Sequence, residues 1–328
     1  MKTLTVQNKG SMTRLDQPPT PLSAGKIRVR VKYAGVGRTD LTAVRGGYLL
    51  APKFPFTPGY EYAGTDELGR RVAGMLPQMG AYQEFIDTDP RWSAAIPEGV
   101  SDEAAAALPL NYLTALALLE KTTKLAAGAK VLVHGAGGGV GRALLELARL
   151  QGLNAYGLAS SERADELKAL GAFPLNRHGD WVTEARALVP QGFDAVFDAQ
   201  GLASFRTSWT LLGRSGVLAA YGFVPDLKGG KSHYFKGLAY LFSKLLYPSG
   251  KRARVCGLPA IIAADLDWYQ HAMARLFSWI QSGKIRPLIQ QVFPWNEAEK
   301  AHAVIEEGRV RGKLLLDFSS GGREPFPN

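Results

Sequence analysis

The sequence predicts an α/β chain that combines a doubly wound parallel sheet with a mostly β unit. Three observations predict it. Strand and helix signals alternate from Lys130 onward, as in a parallel sheet covered by helices. The first hundred residues carry short alternating strands broken by proline and glycine. Between the two, Lys130–Gly141 (KVLVHGAGGGVG) joins an apolar β-type run to a glycine cluster and then to a helical pattern.

The glycine cluster carries the most information. Val131–Val133 runs into Gly135, Gly138 and Gly141, three residues apart, and Leu144, Leu145, Leu147, Ala148 and Leu150 follow with helical spacing. Strand, tight turn and helix together bring backbone N–H groups and a helix N-terminus onto a pyrophosphate. Glycine is needed because a Cβ would block both the turn and the approach of the phosphate. Gly135, Gly137, Gly138, Gly139, Val140 and Gly141 are therefore the expected dinucleotide cradle.

The remaining elements follow in order. Met1–Val6 alternates like a strand, as does Ile27–Tyr33 (IRVRVKY), and Pro52, Pro55 and Pro58 punctuate what comes next. At Ser101-Asp-Glu-Ala a capping serine and acidic first-turn residues open an Ala/Leu-rich helix. Beyond the glycines, Asn154–Ala159 reads as a strand, Arg163–Leu170 as a helix, Asp194–Asp198 as a strand, Phe205–Leu212 as a helix and Gly216–Tyr221 as a strand. The segment 225–252 interrupts this rhythm. Within it, Tyr234–Tyr247 is apolar and aromatic with interspersed lysines, a composition that can lie on a membrane, shape a substrate entrance or pack on a partner; packing within its own protein is the commoner outcome. Trp268–Ile280 reads as an amphipathic helix, and 285–318 returns to strand, helix, strand. Residues after Ser319 read as a flexible polar tail.

Bulk properties narrow the function classes. A length of 328 residues allows two domains. No apolar run approaches the roughly 18 residues of a membrane span, and the N-terminus lacks the apolar core of a signal peptide, so the expected location is cytoplasmic. The single cysteine, Cys256, excludes an internal disulfide and a cysteine zinc cluster, and its apolar neighbours suggest a buried strand position. The formal charge of +10 is mostly scattered. It supports no nucleic-acid role without a recognition motif. Basic residues concentrate only between Lys228 and Arg254.

The order of these pieces resembles the medium-chain dehydrogenase/reductase superfamily, and within it the zinc-free quinone oxidoreductase and enoyl reductase branch. The resemblance covers nearly the whole chain. It is carried by Gly35–Asp40 (GVGRTD), Pro58–Gly64 (PGYEYAG), Ala107–Ala115 (ALPLNYLTA), the glycine loop, Gly283–Leu288 (GKIRPL) and Arg311-Gly-Lys-Leu. It implies a GroES-like catalytic domain of residues 1–112 and 259–328 around a Rossmann dinucleotide-binding domain of residues 113–258, with the basic aromatic insert at about 225–252 in the latter. Two departures stand out. Only Thr-Asp-Glu-Leu-Gly separates Gly64 from Arg70, which should cut a hairpin short, and the insert resembles only some branches, including a vesicle-protein-like one.

Zinc enzymes of the superfamily bind their catalytic metal through side chains at positions matching Gly37, Tyr60 and Leu110. Glycine and leucine offer no ligand, the four-cysteine lobe is absent, and the five histidines are scattered, so no metal is expected. NAD-preferring domains place an acidic residue at the tip of the second strand. Here Ser160 and Ser161 occupy that tip, Arg163 falls where NADPH-dependent relatives place a lysine or arginine on the 2′-phosphate, and Arg177 falls where many carry a tyrosine lining the same site. Guanidinium forks beside hydroxyls suit a phosphate dianion, so the expected cofactor is NADPH. Glu162 argues the other way unless it faces solvent. The resemblance places Thr114 near the nicotinamide, and Gln200, Tyr221, Gly222 and Phe223 border the cofactor at strand ends.

Nicotinamide without metal suits hydride delivery to an activated carbon followed by protonation, with a small electrophilic enone, enoyl compound or quinone as the expected substrate. Tyr48 matches the proposed proton donor of the enoyl reductase branch, and Tyr60 can supplement or replace it. Arg38 and Asn111 are candidates for the pocket wall, and Asp40 reads as a residue that binds backbone amides near a turn. Two rivals remain open: quinone reduction that needs no pocket proton donor, and a cofactor-binding protein with little turnover that touches membrane through 234–254. Relatives are often dimers, which leaves a homodimer open as well.

Overall fold

The computed structural model describes residues 1–18, 20–222, 230–245, 250–319 and 326, with backbone alone at 230–234 and 245. The chain divides into two compact units, Met1–Leu113 with Ile262–Asn328, and Thr114–Ile261.

The first unit begins with the hairpin β1 (Lys2–Asn8) and β2 (Ser11–Asp16). It continues through β3 (Ile27–Val36), α1 (Arg38–Val44), β4 (Glu61–Asp66), β5 (Arg71–Met75), β6 (Phe85–Thr88), β7 (Ser93–Ala95), α2 (Asp102–Ala106) and α3 (Asn111–Ala117), the last crossing the boundary. Ser101 caps α2 as its sequence suggests, Oγ accepting from Ala104 N at 3.2 Å. The β4–β5 hairpin is short. Asp66 closes it by accepting from Leu68 N and Arg70 N at 3.0 and 2.8 Å.

The second unit holds β8 (Lys130–His134), α4 (Gly139–Leu150), β9 (Asn154–Ala159), α5 (Ala164–Ala169), β10 (Phe173–Asn176), α6 (Trp181–Leu188), β11 (Phe193–Asp198), α7 (Leu202–Leu211), β12 (Leu212–Tyr221), α8 (Gly230–Leu245) and β13 (Arg252–Cys256). All six strands are parallel, in the order β10-β9-β8-β11-β12-β13. The order reverses direction beside β8, the topological switch point of a doubly wound sheet. Leu132, Val196, Phe205 and Leu218 belong to its core. β10 escaped the sequence reading because Pro174 lies in its four residues; it is tolerated because β10 is an edge strand. Cys256 ends β13 and is buried, which pushes its thiol up to about 11.

Helix α8 packs one face on this core through buried Leu241 and half-buried Leu238 and Tyr240, while Phe235 and Phe242 are 54% and 61% exposed. The rest of the insert, 223–229 and 246–249, lies outside the described residues, as does most of the tail after Ser319.

After α9 (Leu258–Ala264), the chain completes the first unit with α10 (Leu266–Gln281), β14 (Ile289–Pro294), α11 (Ala298–Glu306) and β15 (Lys313–Asp317). β15 pairs antiparallel with β3, so the main sheet runs β14-β15-β3-β4-β5-β7, with β6 paired to β3 off that path. This closure brings Lys313 beside residues far earlier in the chain. The core of the unit includes Val29, Val31, Leu41, Tyr62, Leu314 and Leu316. Among the described residues, no helix is long and apolar enough to cross a membrane.

Candidate functional site

The glycine loop of the second unit is built from backbone. Gly135 turns the chain out of β8 at φ +62°, a conformation side chains resist. Gly138 caps α4 without a side-chain bond, leaving the first helix amides open. A Cβ on Gly141 would collide with the Gly135 carbonyl, and one on Gly137 with the Arg163 guanidinium. A pyrophosphate suits this cradle: the turn is made of backbone, and the helix N-terminus supplies donors.

The C-terminal ends of β8, β9, β11 and β12 frame the loop. Arg163 is half-buried and donates through Nη1 to the Gly137 carbonyl at 2.6 Å. Arg177 N donates to Ala159 O at 2.8 Å, which fixes it beside the tip of β9. Its exposed side chain donates through Nε to His178 Nε2 at 3.0 Å. Ser160 precedes a 3-10 turn over Ser161–Arg163, and Glu162 lies exposed in it. Gln200 lies over the loop, its Nε2 3.4 Å from where a Cβ on Gly135 would stand. Tyr221 is buried, Gly222 is exposed, and Phe223 lies outside the described residues. Thr114 is buried on α3.

One network beneath the loop was not read from the sequence. Asp198 Oδ2 accepts from Ser204 Oγ and Ser208 Oγ at 2.6 and 2.7 Å, and Oδ1 accepts from Gln200 N at 2.8 Å. His134 stands 3.0 Å from Ser208 Oγ through Nε2 and 3.3 Å from Ser204 Oγ through Nδ1. Burial holds its imidazole below the ordinary range despite the nearby Asp198 carboxylate. The sequence shows one histidine and two serines about seventy residues apart; only the adjacency of β8 and β11 joins them.

The first unit gathers a different set. Tyr60 is buried at the entry to β4, and its Oη donates to Tyr48 Oη at 3.3 Å, the rings meeting edge to face. Burial raises the Tyr60 hydroxyl far above its usual value, with Tyr48 and Asp40 adding to the shift, so it stays protonated. Glu61, fully buried, pairs with the Lys313 ammonium and accepts from Leu110 N at 2.8 Å. Gly35 admits it, since a Cβ there would occupy the space of the Glu61 carboxylate. Asp40 binds a backbone amide as expected, Oδ2 accepting from Gly37 N at 2.8 Å, and burial pushes its carboxyl up to about 7. Asn111 is buried at the start of α3, and Arg38 is exposed at the start of α1.

Zinc does not fit the residues at the matching positions. Gly37 has no side chain, a Cβ added there would touch Leu110 Cδ2 at 3.7 Å, and Tyr60 stands where the histidine would be. Among the described residues, no group of three or more His, Cys, Asp or Glu is placed to hold a metal ion.

Two family profiles match the chain: an alcohol dehydrogenase GroES-like domain over residues 23–76 and a zinc-binding dehydrogenase over residues 170–316. The chain is 32% identical over 318 residues to the human synaptic vesicle membrane protein VAT-1 homolog, covering 91% of this chain and 80% of that protein. It is 29% identical over 342 residues to mouse quinone oxidoreductase-like protein 2, covering 96% and 91%. Among solved structures it is similar to the quinone oxidoreductase of Thermus thermophilus, a protein also described in complex with NADPH, at 27% identity, TM-score 0.79 and coverage of 97% and 100%.

Proposed function

This chain belongs to the medium-chain dehydrogenase/reductase superfamily, in its quinone oxidoreductase-like branch, and from that premise we propose that it is an NADPH-dependent, zinc-independent reductase of activated C=C bonds. The observation that carries the reading is the Tyr60–Tyr48 hydroxyl contact in the first unit, at a position where zinc relatives keep a metal ligand. When bound, the dihydronicotinamide supplies a hydride. The chain's own groups hold the cofactor's phosphates at 135–141, meet a 2′-phosphate with Arg163 and Arg177, and keep a protonated phenol at the reduced substrate. An α,β-unsaturated carbonyl spreads the incoming charge onto oxygen, where a hydroxyl can meet it without a Lewis acid. Tyr48 then gives its proton to the enolate, with Tyr60 behind it.

A panel of enones, enoyl thioesters and quinones, followed by NADPH oxidation, tests this reading. Tyr48→Phe should lower kcat on enones about 100-fold, the ordinary scale of a lost general acid, and leave quinones little changed. Equal activity of the variant on both acceptors removes Tyr48 from the chemistry and leaves quinone reduction, the reading favoured by the names of several relatives.

A membrane contact is a separate reading, favoured by one observation: Phe235, Lys236 and Phe242 are exposed together on α8. Sedimentation with anionic vesicles, lost on charge reversal at Lys236 and Lys244 while reductase activity survives, is its signature.

A further inference from the structure

The cluster behind Tyr60 contains more titratable groups than protonation of a substrate by Tyr48 requires. Asp40, Glu61 and Lys313 are 1%, 0% and 3% exposed. Two buried carboxyls therefore share one buried ammonium. Glu61 takes it, through the direct contact with Lys313 Nζ, and adds the Leu110 amide. Asp40 is left with backbone amides, Gly37 N donating to Oδ2 at 2.8 Å and the Gly59 amide close by, and with the Tyr82 hydroxyl at its side. If both carboxyls were ionised, the site would bury a net negative charge, which a low-dielectric interior penalises heavily. A proton on Asp40 neutralises the trio.

Two more buried groups lie nearby. Tyr82 Oη meets the Asp40 carboxyl, which raises it further above its ordinary value. His302 Nε2 on α11 has no hydrogen-bond partner, and its ring lies 6.2 Å from that of Tyr82. Orphaned buried polar atoms in a native fold commonly mark ordered water. Arg45, whose charge is felt at His302, pairs at the surface with Glu306 at 2.6 Å. Polar groups thus neighbour one another from the Tyr48–Tyr60 contact through Asp40 and Tyr82 to His302.

We propose that Asp40 is the proton reservoir of this site, storing the proton that restores Tyr60 and Tyr48 after each turnover. The proposal rests on the reductase reading above. Asp40 touches no substrate; it acts through Tyr60. The Tyr48 O–H bond breaks as a C–H bond forms on the enolate carbon. The Tyr60 proton passes to Tyr48, the Asp40 proton to Tyr60, and a solvent proton returns to Asp40 by way of Tyr82, His302 and intervening water. The groups facing Asp40 are Lys313, Glu61, Tyr60 and Tyr82, with His302 and Arg45 beyond them.

Two measurements decide it. In ligand-free wild-type protein carrying carbon-13 at the aspartate carboxyls, one resonance should titrate near pH 7 and be missing from Asp40→Asn. If every aspartate titrates below about pH 5, near the reference range, the reservoir is overturned without recourse to any variant. In turnover of an enone with saturating NADPH, wild-type kcat should fall about tenfold per pH unit above neutrality. Asp40→Asn should give a lower, pH-independent kcat at unchanged KM. A variant that keeps the wild-type pH profile also overturns the proposal. Failure of the reductase reading looks different: no acceptor is reduced at all, and the carboxyl titration still reports where the proton resides.

Discussion

The two candidate sites of this chain are made of different materials. The loop of the second unit is backbone: glycines whose missing Cβ atoms leave room, and amides left open at a helix end. The site of the first unit is side chain, drawn from α1, β4 and β15, with a buried ion pair at its centre. The first depends on conformation and the second on charge. Substitutions should therefore strain the loop but leave unpaired charge in the cluster, and the second effect is larger. Lys313→Met should cost about 3–5 kcal/mol in a denaturant titration, because it leaves Glu61 buried without its cation. A loss below about 1 kcal/mol would mean that Glu61 takes up a proton at little expense, and the contrast would fail.

The buried cluster of the first unit also couples to protons, because it holds two groups displaced in opposite senses. Asp40 is raised from 3.8 to about 7, so the stability it contributes is complete below its unfolded value and is lost as pH rises through 7. His302 is lowered from 6.5 to about 4 by burial, so its contribution is complete above 6.5 and is lost as pH falls through 4. At 1.36 kcal/mol per unit these amount to about 4 kcal/mol for Asp40 and about 3 kcal/mol for His302. Between pH 4 and 6.5 the two slopes oppose one another. Asp40→Asn should expose a stability that rises with pH across that window. His302→Gln should expose one that falls. Urea midpoints at half-unit steps read both, and two variants running parallel to wild type would show that neither group is displaced.

The same difference in material explains what the sequence revealed. The glycine loop was legible because its function sits in consecutive residues and its constraint is local: Gly135 turns at φ +62°, which side chains resist, and a Cβ at Gly141 would meet backbone. The six-stranded parallel sheet followed from the periodicity of β8, β9, β11 and β12, while β10 was hidden by Pro174. Tyr48 and Tyr60 came from resemblance, and their hydroxyl contact at 3.3 Å is a tertiary fact. Lys313 was invisible as a site residue, since its partner lies 252 positions earlier and a lone lysine before an apolar strand reads as surface. Asp40 was legible as a turn residue, but its burial beside Tyr82, Glu61 and Lys313 is a tertiary fact.

Within the loop, the effect should scale with what a methyl group would meet. Gly141→Ala puts a Cβ against the backbone of Gly135 and Ala136, which cannot swing aside. About 1–3 kcal/mol of stability should be lost, the usual range for overpacking, together with most of the affinity for nicotinamide dinucleotide in a fluorescence titration. Gly138→Ala meets the Gly135 carbonyl at 3.3 Å, a contact relieved by a small shift, and should lose less of both. If Gly138→Ala proved the worse, packing would not be what demands glycine at Gly141.

The smallest effect separates two roles of one side chain. Arg163 bonds the Gly137 carbonyl, so it can serve as a clamp on the loop, as a reader of the 2′-phosphate, or as both. A clamp acts on any dinucleotide, because both NADH and NADPH place a pyrophosphate on that loop. A phosphate reader acts on NADPH alone, since only that cofactor presents a dianion to the guanidinium fork. Arg163→Ala should therefore raise the Kd for NADPH about tenfold, near 1.4 kcal/mol, and leave NADH within a factor of about two or three. Arg177→Ala, which removes a side chain bonded to His178 rather than to the loop, should show the same selectivity more weakly. An equal loss for both cofactors in Arg163→Ala would assign the residue to the loop's conformation and leave cofactor choice to other groups at the tip of β9.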